Sequence, residues 1–164
     1  MSPFALVREV REFFDGPIAL SGSISEGSSV LSALALGADF AYVGTKFIAT
    51  EEANASPGYK QMIIDSTADD IMYSATFTGV NGNYLRPSVE AAGLNPEEHT
   101  SGSKDDMNFS TSAIAKKDNS SKAWKDIWGS GQGIGSIKDA PSVQTAVDQM
   151  VSEYEEAKSR LDNF

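Results

Sequence analysis

Two short apolar segments, each running into glycine and then a hydroxyl residue, recur 22 residues apart near the start of this 164-residue chain. Pro17-Ile18-Ala19-Leu20 leads into Ser21-Gly22-Ser23-Ile24, and Phe40-Ala41-Tyr42-Val43 leads into Gly44-Thr45. Neither segment alternates apolar with polar, so each reads as a strand covered on both faces. Between them, from about Glu26, Val30, Leu31 and Leu34 share one helical face, and Gly37 ends it. A strand–helix–strand unit this compact requires parallel strands and a right-handed crossover. A helix precedes it, with Ser2 as cap, Pro3 at its first position, Phe4, Val7, Val10 and Phe14 on one face, and Gly16 as its stop. A (β/α) barrel and an open doubly wound sheet both fit this rhythm.

The rhythm is lost after Ile48. Glu51 to Ile71 reads as partly helical, with Tyr59, Met62 and Ile63 on one side. Tyr73 to Tyr84 surrounds Gly79-Val80-Asn81-Gly82, a turn-rich segment whose class the residues leave open. Ser88 to Leu94 reads as a short helix ending near Gly93 and Pro96. Glu97 to Lys122 is rich in Ser, Asn, Asp and Lys and reads as a loop. The best-defined helix is the last, with Ser142 as cap and Val143, Val147, Met150, Tyr154, Ala157 and Leu161 in helical register.

Composition removes several classes of function. The chain has no cysteine, which excludes disulfides, thiol catalysis and Cys-ligated metals. Its net charge of −10 argues against nucleic acid, whose phosphates need clustered Lys and Arg. No run of about 18 apolar residues is present, so no membrane role is expected. The first residues, Met1-Ser2-Pro3-Phe4, do not resemble a secretory leader, and a cytoplasmic protein is the expectation.

The two glycine-ended strands carry the main chemical signal. At Gly22-Ser23 and Gly44-Thr45 the backbone can approach a ligand without a Cβ in the way. Exposed N–H groups there, with the N-terminus of the helix after Ser25, would make an anion site of the kind that holds a phosphate. The plainer alternative is that the glycines only permit tight turns. The run Gly129-Ser130-Gly131-Gln132-Gly133-Ile134-Gly135 lacks both a preceding strand and the Gly-Lys-Ser/Thr ending of a nucleotide loop, although Gln132 could present its amide to a ligand. His99 is the only histidine and lies in a polar stretch, so no metal site and no catalytic residue is assigned. Glu51-Glu52 and Asp69-Asp70 read as solvated faces. Lys46 could meet a phosphate or serve the surface.

The strand-end segments, extended through Lys46-Phe47-Ile48-Ala49-Thr50-Glu51-Glu52, resemble the C-terminal part of the nitronate monooxygenases, also called nitropropane dioxygenase-like flavoproteins. Further agreement lies in Phe77-Thr78-Gly79, in Gly82-Asn83-Tyr84-Leu85, and in Trp124-Lys125-Asp126-Ile127-Trp128-Gly129-Ser130-Gly131-Gln132-Gly133. The resemblance implies the C-terminal βα units of an FMN-binding TIM barrel, with a mainly helical second domain inserted after the eighth strand. Residues 1–50 would hold the last two strands, 51–135 the inserted substrate-side domain with its loop near 97–122, and 136–164 a helix returning to the barrel. FMN phosphate would be held by Gly22 and Ser23 at the seventh strand and by Val43, Gly44 and Thr45 at the eighth. Gln132 would face the substrate side.

Family members oxidise alkyl nitronates with molecular oxygen. The nearest alternatives are a flavin-dependent enoyl-acyl-carrier-protein or quinone reductase on the same barrel, and a non-catalytic binding fragment. Two departures stand out: Ser23 where the family has a second glycine, and Lys46 where it has arginine, which loses the bidentate fork. The family's catalytic histidine matches no residue here. A TIM barrel needs roughly 200–250 residues, and this chain supplies two of eight strands. The expectation is therefore a barrel incomplete in this chain, partnered by an N-terminal barrel half. Alone, the chain is expected to turn over no nitronate and not to form a well-ordered monomer.

Overall fold

A computed structural model describes residues 2–99 and 126–163. Most of the expected loop near 97–122 lies outside the described residues, as do Trp124 and Lys125.

Helix α1 (Pro3–Arg11) starts where the sequence places it, with Ser2 Oγ accepting from Phe4 N. It ends at Arg11 rather than continuing to Gly16, and the Arg11 guanidinium reaches out from its last turn. It donates to Gly37 O from two nitrogens (3.0 and 2.8 Å), to Gly16 O (2.6 Å) and to Asp39 Oδ2 (2.5 Å). One side chain thus joins the end of α1, the entry to the first strand and the entry to the second. Strand β1 (Ala19–Leu20) pairs in parallel with β2 (Phe40–Ala41), Ala19 opposite Phe40, and helix α2 (Gly27–Ala35) makes the crossover. Only two residues of each expected strand join the ladder, since neither outer edge has a neighbour among the described residues. The barrel is not closed.

Val7, Leu20, Ile24, Ala33 and Ala38 form the core of this unit. On the rest of the expected α1 face Val10 is half-buried, Phe4 is 67% exposed and Phe14 44%. Phe13, Phe40 and Tyr42 are exposed as well, as suits a sheet of two strands with no further strand among the described residues.

After β2 comes a single helical turn, α3 (Thr45–Ile48), and then α4 (Pro57–Asp65), where Ser56 Oγ accepts from Tyr59 N. The region expected to be mainly helical also contains an antiparallel hairpin, β3 (Ile71–Ser74) with β4 (Gly82–Leu85), Ile71 opposite Leu85. Its two faces enter different clusters: Leu85 is buried with Ile63 and Ile134, Met72 with Phe77 and Val89, and Phe77 meets Tyr84 edge-on at 4.8 Å. Helix α5 (Arg86–Ala91) follows. A second core of Ala49, Ile63, Leu85, Ile134 and Ile137 joins the hairpin and α4 to the glycine-rich segment.

The last helix, α6 (Val143–Leu161), begins at Ser142, whose Oγ accepts from Thr145 N. It returns to pack on α2 through the middle of its expected register: Met150 and Tyr154 are half-buried and Ala157 is buried, while Val143, Val147 and Leu161 are exposed and Ala146, outside that register, is buried. The backbones nearly touch, since a Cβ on Gly27 would lie 2.0 Å from Met150 O.

Candidate functional site

Both strands deliver glycine to the same end of the sheet. Gly22 has φ +98°, a conformation that L side chains rarely adopt. A Cβ added at Gly22 or at Gly44 would meet nothing within 4 Å, so both glycines border open space. Among the described residues, the N–H groups of Gly22, Ser23, Gly44 and Thr45 donate to no group. Unspent backbone donors beside open space suit an anion.

The glycine-rich segment crosses these strand ends as a strap. Gly131 N donates to Thr45 Oγ1 (2.8 Å) and Gln132 N to Gly22 O (2.6 Å). Ser25 Oγ donates to Gly133 O (2.5 Å) and lies 2.8 Å from Ser136 Oγ. Side chains would not fit: a Cβ on Gly131 would be 2.7 Å from Gly22 O, and one on Gly133 would be 2.5 Å from Ser25 Oγ. These glycines are therefore required by backbone-to-backbone packing. Upstream, the strap is tied to the hairpin through Leu85 N to Trp128 O (2.8 Å) and Ser130 N to Asn83 O (3.2 Å). The Tyr59 ring stacks on Trp128 at 5.0 Å, and its hydroxyl donates to Gly129 O. Burial pushes the Tyr59 phenol above its ordinary pKa.

Strand ends, strap and hairpin border a cavity of about 420 Å³, lined by Gly22, Gly44 and Thr45 of the strand ends together with Tyr59, Asn83 and Ser130. No charged side chain lines it among the described residues. Of the residues singled out from the sequence, Gly22, Gly44 and Thr45 meet here. Val43 instead packs against the first core. Ser23 and Gln132 border a separate hollow of about 230 Å³ beside Ser25 and Glu26. Lys46 is buried and does not line the cavity.

The N-terminus of α2 does not contribute as expected, because its donors are already used. Ser25 N and Glu26 N donate to Ser29 Oγ, and Gly27 N donates to Glu153 Oε2 at 2.7 Å. A carboxylate from α6 holds the place an anion would take. Tyr59, Asn83 and Ser130 were not legible as site residues. Asn83 follows from strand alternation once the hairpin is known, but the sequence left that segment unassigned. Among the described residues, no His, Asp or Glu cluster could hold a metal, and no helix is long and apolar enough to cross a membrane.

Residues 1–153 match the sequence model of a family described as nitronate monooxygenase. A nitronate monooxygenase from Paraburkholderia phytofirmans is 30% identical over 96 residues, which take in 58% of this chain and 26% of that protein. Among solved structures, FabK from Thermotoga maritima superposes with a TM-score of 0.71 at 24% identity, covering 99% of this chain and 52% of that one. A nitroalkane oxidase from Streptomyces ansochromogenes gives 0.71 at 24% identity, covering 98% and 46%. The chain thus spans about half the length of the solved chains it matches.

Proposed function

Because this chain belongs to the nitronate monooxygenase family of FMN-dependent oxidoreductases, we propose that its strand ends carry the phosphate part of an FMN site in an enzyme that oxidises alkyl nitronates with molecular oxygen. The observation that carries this reading is the convergence of two glycine-ended parallel strands on one uncharged cavity, with four backbone N–H groups unspent. The residues fit the group: Gly22, Gly44 and Thr45 line the cavity and would donate to phosphate oxygens, the open space beside both glycines leaves room for them, and the unspent N–H of Ser23, which borders the adjacent hollow, follows Gly22 directly. FMN, when bound, supplies the redox chemistry. The chain's own part is to bind and orient, and no general acid or base is assigned within it.

The outer edges of β1 and β2 and the apolar surface of Phe4, Phe13 and Phe40 would be covered by further βα units that complete the barrel. That complement, the nitronate and oxygen are the partners of this reading.

The test has two stages. Titration of the purified chain with FMN and with riboflavin, followed by flavin fluorescence, should show binding that depends on the phosphate. Equal affinity for the two would refute the phosphate site. With the complementing barrel half present, anaerobic mixing of the flavin-loaded protein with propionate 3-nitronate should bleach the flavin. Bleaching by NADH or NADPH and not by the nitronate would replace the monooxygenase reading with that of an enoyl or quinone reductase.

A further inference from the structure

We infer that Asn83 is the side chain with which the hairpin unit holds the phosphate of the ligand seated at the strand ends, an inference that rests on the phosphate reading above. Alternation along β4 puts Asn83 on the same face as Leu85. Leu85 is fully buried against a cluster that includes Ile48 and Tyr59, and those two residues also line the cavity. Asn83 therefore faces the cavity that Gly22 and Gly44 also line.

Most side-chain hydroxyls that line the cavity already donate within the chain, whereas the strand-end N–H groups do not. Ser21 Oγ donates to Tyr42 O (3.1 Å), Ser25 Oγ to Gly133 O (2.5 Å), Ser130 Oγ to Gly131 O (3.3 Å), and the Tyr59 hydroxyl to Gly129 O. The backbone carbonyl of Asn83 accepts from Ser130 N, but its side-chain amide has no partner among the described residues. On the hairpin and strap side, this amide is thus the one lining side chain whose donors are all available. An anion held in the cavity, with no cation lining it, would be satisfied by backbone N–H groups and by the Asn83 amide.

The test is titration of the chain and its N83D and N83A variants with FMN, riboflavin and inorganic phosphate. N83D keeps the size of the side chain while replacing donors with a carboxylate. It should weaken FMN and inorganic phosphate by on the order of a hundredfold and leave riboflavin unchanged. N83A, which only removes the donors, should weaken FMN by roughly tenfold. If wild type prefers FMN to riboflavin and N83D binds FMN equally well, the assignment of Asn83 is overturned while the phosphate site stands. If N83D weakens FMN and riboflavin alike, the residue has a structural role and the assignment is again overturned. If wild type does not distinguish FMN from riboflavin, the phosphate reading itself fails and the inference falls with it.

Discussion

Gly27 is where the packing of α2 on α6 is most exposed to test. A Cβ at that position would lie 2.0 Å from Met150 O, 2.3 Å from Tyr154 N and 2.8 Å from Glu153 Cβ. Two of those three atoms are backbone and cannot rotate away. Restoring an ordinary contact of about 3.4 Å would drive α6 back by roughly 1.4 Å. The same movement would stretch the Gly27 N to Glu153 Oε2 bond, now 2.7 Å, beyond hydrogen-bonding range. Overpacking of this kind costs about 1–3 kcal/mol, and the lost bond to a carboxylate about 1.5–3 kcal/mol. The better helix propensity of alanine returns about 1 kcal/mol. Gly27→Ala should therefore destabilise by roughly 1.5–5 kcal/mol, lowering Tm by roughly 3–20 °C for a chain of this size. Thermal unfolding followed by circular dichroism reads this directly. Gly58→Ala is the control, because a Cβ there meets only Trp128, at 3.4 Å, and should be neutral or mildly stabilising. A Gly27→Ala protein that melts with wild type would show that the helices have room to spare and that the close approach is not what fixes α6.

Two pH dependences follow from the structure. The Ile18 N–H and then the Arg11 guanidinium hold the Asp39 carboxyl below its ordinary pKa of 3.8. The folded state then binds this proton later than the unfolded state, so the stability it contributes is present above the ordinary value and is lost as pH falls below it. Asp39→Asn should flatten that acid limb in a plot of urea midpoint against pH. For Tyr59, burial raises the phenol above 10.0, so the unfolded chain ionises first and stability falls as pH rises past that value. Tyr59→Phe should remove amplitude from the high-pH end of the 295 nm alkaline titration and, at neutral pH, cost about 1 kcal/mol for the lost bond to Gly129 O. Loss of amplitude at the ordinary phenol value instead would refute the buried setting of this phenol.

What the sequence disclosed was local and periodic. The repeat at Gly22 and Gly44, the caps at Ser2 and Ser142, and the crossover helix rest on interactions within a few residues, and they stand in the structure close to where the residues place them. What it concealed was decided by contacts distant along the chain. The hairpin depends on pairing across the Phe77 and Gly79 turn region, and its strands carry no sustained alternation. The face of α6 that packs was read correctly in its middle, at Met150, Tyr154 and Ala157, but not at Val143, Val147 and Leu161, which are exposed; the closeness of the approach at Gly27 was not legible. The α2 N-terminus looked available to an anion because nothing near Ser25 in sequence announces Glu153, 126 residues beyond Gly27.

The strap shows most clearly why the candidate site was only half legible. Glycines at 131 and 133 invite reading as a ligand loop, since a side chain's absence usually means that something approaches. Here what approaches is the protein itself, Gly22 O and Ser25 Oγ, both within 2.7 Å of where a Cβ would stand. The two glycine runs are thus two sides of one packing arrangement, and the cavity is what remains between them. That arrangement commits the strap's Gly131 and Gln132 amides to Thr45 and Gly22 while the strand ends keep their own N–H groups free. On the proposed reading, ligand recognition would then fall to the strand-end backbone and to Asn83 of the hairpin, an element the sequence did not announce.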